Sequence, residues 1–321
     1  MKRLARRLFL AIALACPPAC LLAQAFPAGP INVVVPLAPG DAADVTARSM
    51  GEEMARHLNT PVVMINRPGA GGAVAANSVM QARKDGQTIL FAQNSALTFR
   101  VVLDPQSAAY DPLRDLVPLG LTTRTPSVLV VGSDAPYKTF AEFIDYAKKN
   151  PGKVRIGHPG VGSVGDFCIR LINAMTGADL VGIPHNGAAP VVTALRGGHM
   201  EGAVLALGAL STQMKAGAFR GVVTSSRAPE FADIPTLKEL GYREDLFGVW
   251  FSFLAPAGTP DAARKALVEA IELAVKSPAI TARLAPMGIV QAYASPEQQA
   301  MEIRDEFKRV GDMARQSGLV K

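Results

Sequence analysis

The densest collection of chemistry-bearing residues follows a short apolar run, Val154-Arg155-Ile156-Gly157. It reads His158-Pro159-Gly160-Val161-Gly162-Ser163-Val164-Gly165-Asp166. Gly160, Gly162 and Gly165 have the G-x-G-x-x-G spacing with which a strand-to-helix turn cradles a pyrophosphate. The acidic residue that would hold a ribose at the end of the next strand is missing. Asp179 precedes that strand, and Pro184-His185 follow it. No cofactor is therefore expected, and the glycines read as a turn that lets backbone approach a ligand. The same stretch offers Ser163, Asp166, His158 and His185 as a hydrolase-like set. A nucleophile elbow needs G-x-S-x-G, and Val161 stands where its first glycine belongs. The two histidines follow different strands, so a base within reach of Ser163 would have to come from the fold. His57, His158, His185 and His199 contain no pair at metal-ligand spacing.

A second loop binds by backbone alone. Ile31 to Asp44 reads INVVVPLAPGDAAD. The β-branched run suits a buried parallel strand. Pro36 and Pro39 end it, because neither can donate to a sheet ladder. Gly40 and Asp41 supply turn and helix-start chemistry. The loop thus lies at the carboxyl end of a strand, and the following helix aims free N–H groups into it. Such a loop attracts an anion or a carbonyl without any basic side chain.

The elements that must position these loops alternate. Strands are expected at Val62–Ile65 and Thr88–Ala92, with the Gly-rich Asn66–Gly72 loop and a helix from about Ala73 to Ala82 between them. That order implies right-handed βαβ units in a parallel sheet. Leu116–Leu121 and Ser127–Val131 read as strands that carry the chain elsewhere. Phe140–Lys149 is an amphipathic helix. A second series follows: strands at Val154–Gly157, Leu180–Ile183, Ala203–Leu207 and Gly221–Thr224, with a helix from Ala189 to Leu195. The chain returns near Val249 to Leu254 and ends in helices over the first unit. One begins at Pro260-Asp261, and one at the capping box Ser295-Pro296-Glu297-Gln298. Val45, Met50, Met54 and Leu58 should mark one buried helix face, and Ile303, Phe307, Val310 and Ala314 another. Trp250, Phe251 and Phe253 suit core packing. No internal repeat, low-complexity tract or long charge run is evident.

Composition fits a globular α/β protein, with 49% hydrophobic residues, 29 Gly and 24 Pro in 321 residues. Residues 1–25 read as a cleaved signal peptide. They comprise a basic n-region, an apolar Leu8–Cys16 run broken by Pro17-Pro18, and an Ala23-Gln24-Ala25 cleavage site. Loss of Lys2, Arg3, Arg6 and Arg7 lowers the net charge from +6 to +2. The basic balance is then no argument for a nucleic-acid partner. Cys16 and Cys20 leave too, so Cys168 is alone and suits a core position. A periplasmic monomer is expected.

An ordered series of motifs resembles one family. VPLAPGDAADVTAR is similar to the first loop of Bug-type extracytoplasmic solute receptors of tripartite tricarboxylate transporters. Pro61-Val62-Val63, Asn66-Arg67-Pro68-Gly69-Ala70-Gly71-Gly72, Asp85-Gly86, Tyr110-Asp111-Pro112, Pro151-Gly152-Lys153, Gly187-x-x-Pro190, Lys215-Ala216-Gly217, Asp233-Ile234-Pro235-Thr236 and Leu254-Ala255-Pro256-Ala257-Gly258-Thr259-Pro260 match in order. The resemblance implies a type II periplasmic-binding-protein fold, two α/β lobes with a ligand cleft between them. Lobe 1 would be 26–125 plus 248–321, and lobe 2 would be 126–247. It implies a small organic acid as ligand, captured by hinge closure, and membrane subunits of a tripartite transporter as partners. A sensor for a membrane signalling partner, or a hydrolase-like enzyme at Ser163/Asp166/His185, are the alternatives. Carried over by position, the contacts would be Ala38, Pro39, Gly40, Asp41, Asp44, Asn94 and Ser95 from lobe 1. Lobe 2 would give Gly162, Ser163, Asp166, His185 and Leu205. The chain departs from the family pattern in four places. Asp41 replaces a second glycine, Asp166 stands where many members have His, His185-Asn186 replace a Tyr-Lys pair, and Leu205 replaces an Asp. Two added acids in the cleft would repel a carboxylate. They imply an atypical ligand with a single carboxylate, or one carrying an amine or amide.

Overall fold

The computed structural model describes residues 26–108 and 110–320, and the expected signal peptide lies outside them. The chain opens with β1 (Ile31–Val35), α1 (Ala42–Leu58), β2 (Val62–Asn66), α2 (Ala73–Met80) and β3 (Thr88–Gln93). A π-helical turn, Ser95–Phe99, runs into α3 (Arg100–Leu103) and α4 (Pro105–Ala108). The long β4 (Leu116–Thr125) and β5 (Ser127–Gly132) follow, separated by Pro126. Next come α5 (Phe140–Lys149), β6 (Val154–His158), α6 (Val164–Thr176), β7 (Leu180–Pro184) and α7 (Ala188–Arg196). Then follow β8 (Gly202–Ala206), α8 (Leu207–Lys215) and β9 (Phe219–Thr224). The chain closes with β10 (Val249–Pro256), α9 (Asp261–Val275), α10 (Pro278–Leu284), β11 (Val290–Ala294) and α11 (Pro296–Gln316).

These strands form two sheets, in the orders β11-β4-β10-β3-β1-β2 and β7-β6-β8-β5-β9. β1 lies parallel between β2 and β3, in the register Ile31↔Val62 and Asn32↔Thr88. β6 lies parallel between β7 and β8 in the same way. The strand delivered from the other half of the chain then inserts antiparallel: β10 between β3 and β4, β5 between β8 and β9. The two sheets therefore repeat one topology, with β11 as an extra edge in the first. The sequence reading found no repeat; the duplication lives in strand order and in a short motif described below, not in overall similarity.

All of β10 is buried, as a strand with neighbours on both edges and helices on both faces must be. Phe91 stacks on Phe251 with ring centroids 5.5 Å apart. Phe99, Phe167 and Phe247 meet edge to face, so aromatic packing joins the two units beside the crossing segments. Cys168 is fully buried, as expected for a core thiol. Two helix faces differ from expectation. α1 buries Ala43, Ala47, Met50 and Met54 fully, while Val45 and Leu58 are half-buried at the edges of that stripe. On α11 Ile303, Val310 and Ala314 are buried, but Phe307 is 40% exposed beside the apolar stems of α3 and α4. The Ser295–Gln298 capping box forms as read. No helix among the described residues is long and apolar enough to cross a membrane.

Candidate functional site

The first loop of each unit is built from one pattern, G-[D/S]-x-x-D-x-x-x-R. It runs Gly40, Asp41, Asp44, Arg48 in the first unit and Gly162, Ser163, Asp166, Arg170 in the second. A turn closes with Asp41 N–H on the Ala38 carbonyl (3.2 Å) and Ser163 N–H on the Gly160 carbonyl (3.1 Å). Gly40 and Gly162 take φ of 83° and 76°, where only glycine is unstrained. The next residue is the N-cap in extended conformation. Asp41 accepts from Ala43 N–H at 3.1 Å, and Ser163 accepts from Asp166 N–H at 3.2 Å. Three residues on, an Asp folds back over its own loop. Asp44 accepts from Gly40 N–H at 2.9 Å and Asp166 from Gly162 N–H at 2.9 Å. Each is then paired with an arginine one turn later, Arg48 and Arg170, both at 2.9 Å. Asn66, at the end of β2, adds a bond to Asp44 and one to the Leu37 carbonyl, both 2.8 Å.

These loops face each other across a cleft. Its inner chamber, about 30 Å³, is lined by Leu37, Asp41, Gln93 and Ser95 from the first unit. Ser163, Val164, Ala188 and Leu205 face them from the second. It opens through Leu37, Gln93, Pro159 and Ser163, which both spaces share, into a vestibule of about 320 Å³. The vestibule is walled by Pro68–Gly72 and Arg100 on one side and by Pro159–Val161 and Pro184–Gly187 on the other. The walls touch. Ser95 Oγ accepts from Val164 N–H (3.3 Å), and Arg100 Nη1 donates to the Val161 carbonyl (2.6 Å). Asp41 and Ala188, the first residue of α7, line the inner chamber from opposite units. A larger cavity of about 480 Å³ at the crossing segments is bounded by ion-paired Arg124 and Glu302, with Phe247, Trp250 and Arg309. None of the loop N–H groups just described opens into it.

Electrostatics separate the cleft acids. Burial pushes the Asp41 carboxyl above its ordinary value, against the pull of the Ala43 and Ala188 amides. Burial would do the same to Asp44, but Arg48, the Gly40 amide and Asn66 outweigh it and the net shift is downward. Burial lowers His158, whose Nδ1 lies 3.0 Å from the Gly160 carbonyl. Behind the cleft, Glu306 of α11 receives Asn94 Nδ2 (3.1 Å), Trp250 Nε1 (3.1 Å) and Thr98 Oγ1 (2.8 Å). Burial pushes it up to about 6.

The predicted contacts divide accordingly. Asp41, Ser95, Ser163 and Leu205 line the inner chamber, and Ser163 and His185 line the vestibule. Ala38, Pro39, Gly40 and Gly162 are the turns behind them. Asn94 is fully buried and anchors the π-helical turn to Glu306 and to the Gly248 carbonyl (3.0 Å). Asp44 and Asp166 correct the reading: both carboxylates brace their own loops, so only one added acid, Asp41, lines the cleft. Leu37, Gln93, Arg100 and Ala188 were not anticipated. Leu37 and Gln93 stand at strand carboxyl ends, where α/β folds bind ligands, and that rule would have found them. Arg100 sits in no motif; it pairs with Asp104 of its own unit, and the approach of the two units adds the Val161 carbonyl.

The comparisons with known proteins agree with this geometry. The model of the tripartite tricarboxylate transporter family receptor matches residues 46–319. This chain belongs to that family. Protein BugT of Bordetella pertussis is 32% identical over 321 residues, covering 99% of this chain and 98% of its own. The structure of the periplasmic binding protein BugD superposes with a TM-score of 0.85 at 27% identity, over 92% of this chain and 99% of that one. MatC from Rhodopseudomonas palustris, with bound malate, gives 0.84 at 30% identity, over 90% of this chain and 99% of that one. The fold of this receptor is accordingly the two-lobed periplasmic-binding-protein fold, as the sequence resemblance implied.

Proposed function

We propose that this receptor works in the periplasm, to which its leader directs it, and captures a small organic acid between its lobes for the membrane subunits of a tripartite transporter. The lobes that move are 26–125 with 248–321, and 126–247. The observation that carries this reading is the pair of matched, side-chain-braced loops meeting across one chamber, each offering helix N–H groups and a small polar cap. Malate in MatC is a guest of the same chemical class. A ligand touching both loops stabilises the closed state by the contacts it makes only there.

The geometry gives no support to a hydrolase. Ser163 Oγ is engaged as a helix cap, Asp166 is held by Gly162 and Arg170, and His185 Nδ1 lies 3.0 Å from the Ile183 carbonyl. Among the described residues no hydrogen bond joins His185 to either of the other two. The test is a thermal-shift screen of organic acids followed by calorimetry. One acid should raise the melting temperature and titrate at one site per chain without product. A chain that binds no acid, or that turns one over with loss of turnover in Ser163→Ala, would end this reading. Co-purification with transporter membrane subunits rather than a signalling protein tests the partner.

A further inference from the structure

Helix α7 begins without a cap of its own: its N-cap is Gly187, and no side chain of its own turn receives its first amides. Ala188, its first residue, instead lines the inner chamber together with Asp41 of the other lobe, whose carboxyl its amide pulls downward. Asp41 also caps α1 through Ala43 N–H. Two helix N-termini from opposite lobes thus border one small chamber, and the carboxylate that lines it belongs to the protein. Converging N-termini are where a guest carboxylate would be most favoured.

We propose that Asp41 is a resident carboxylate filling one of the two anion positions of the cleft, so that this receptor selects acids with a single carboxylate and rejects dicarboxylates. The proposal rests on the receptor reading above and names the ligand class. Three further observations support it. The inner chamber holds about 30 Å³, room for one small polar group beside Asp41 rather than for two anions. Its other walls include Leu37, Val164, Ala188 and Leu205, none of which neutralises a second negative charge. The cation of the adjoining vestibule, Arg100, is already bonded to Val161 and paired with Asp104 at 2.9 Å. The matched position in lobe 2 is the neutral Ser163, which leaves that side open to a guest carboxylate. The ligand body then lies in the 320 Å³ vestibule.

The substitution that tests this is Asp41→Ser, which copies lobe 2 into lobe 1; Asp41→Asn is its isosteric companion and keeps an acceptor for the Ala43 amide. Calorimetry compares acids that differ only at one end: butanoate, succinate and 4-aminobutanoate, and benzoate, terephthalate and 4-aminobenzoate. Wild type should bind a monocarboxylate at least about tenfold tighter than its dicarboxylate match, and either variant should reverse or erase that preference. Melting curves of both variants show that they are folded. A wild type that prefers the dicarboxylate, or variants that leave the ratio unchanged, overturn the role of Asp41 while the receptor reading stands. Binding of 4-aminobutanoate alone in its trio would make Asp41 a partner for an ammonium group and also overturn it. If neither wild type nor variants bind any acid, the receptor reading falls and this proposal falls with it.

Discussion

The two lobes carry the same loop in opposite settings. In lobe 1 the turn is open: Pro39 and Gly40 are exposed, and a Cβ on Gly40 would meet nothing within 4 Å. In lobe 2 the turn is pressed against its neighbour: Gly162 is buried, and a Cβ there would lie 2.5 Å from Arg100 Cδ and 3.2 Å from Arg100 Cα. Turn, brace and arginine are otherwise equivalent, while the caps differ: Asp41 takes the amide two residues on and Ser163 the one three residues on. The comparison separates what the motif does, which is to hold N–H groups in place, from what its surroundings do. Surroundings decide whether a defect is repaired by water or remains buried.

The brace is where that distinction is largest. Asp166→Ala leaves the Gly162 amide in a buried site without its acceptor, and should cost roughly 3 kcal/mol of stability. Asp44→Ala exposes the Gly40 amide to water, and Asn66 retains the Leu37 carbonyl, so roughly 1–2 kcal/mol is expected. Urea denaturation of the two variants checks the order; equal losses would mean that burial is not what distinguishes the loops. Asp44 adds a pH signature. Its folded-state value lies below the ordinary 3.8, so its stabilisation is full above 3.8 and is lost as pH falls through the folded value. Asp44→Asn should remove that part of the acid limb and leave the neutral range unchanged.

The glycines come next. Both need positive φ, so Ala at either costs about 1 kcal/mol from backbone strain alone. Gly162→Ala must also displace the backbone of Arg100 in the other lobe, and should lose roughly 2–3 kcal/mol and weaken ligand binding, since the clash lies where the lobes meet. Gly40→Ala should bind normally. Melting temperature and affinity measured together decide this; a Gly40→Ala defect in affinity larger than that of Gly162→Ala would invert the comparison.

Much of this was legible in residue order. The strand–loop–helix units, the capping box and the buried thiol follow from β-branched runs, Pro and Gly placement and polarity. The direction of a side chain did not. The resemblance implies contacts at Asp44 and Asp166, yet an acid in the first turn of a helix, with an arginine four residues on, is better satisfied by its own loop amide and that arginine. The spacing that says so is local and could have been used. Arg100, Ala188 and the exposure of Phe307 depend on which surfaces approach in three dimensions, and no window of sequence contains that. The duplicated topology was missed for a related reason: strand order is set by pairing between distant segments.

The lobes also differ at the strand that follows the first βαβ unit. β8 passes into α8 with no side-chain cap, whereas β3 passes into a π-helical turn anchored on Glu306. Burial raises Glu306 from 4.5 to about 6, so the protonated form is favoured in the folded state. Stability from this group is fully present below 4.5 and is lost as pH rises through 6, a swing of roughly 2 kcal/mol. Gln at this position keeps Oε1 for Asn94 and Trp250. Its amide can donate to Thr98, whose hydroxyl turns to the Asn94 carbonyl 3.0 Å away. Glu306→Gln should therefore fold well and lose the pH dependence between 4.5 and 7. A variant whose stability still falls across that window would place the titration elsewhere.

The smallest effect isolates the one defined position of the shared pattern at which the loops differ, Asp41 against Ser163. Ser163→Ala removes a neutral cap and should cost about 1 kcal/mol at any pH. Asp41→Ser keeps a cap but removes a buried charge whose folded value is raised. Burial makes ionising Asp41 costlier in the folded chain than in the unfolded one, so above the ordinary Asp range the variant should be no less stable, and by a few tenths of a kcal/mol more stable. At acid pH, where Asp41 is protonated in both folded and unfolded chains, that gain should vanish. Asp41 is thus expected to oppose stability in the pH range where it occupies an anion position, which is the signature of a group retained for binding. A uniform loss of about 1 kcal/mol in Asp41→Ser at every pH would instead make it an ordinary cap, the same in kind as Ser163.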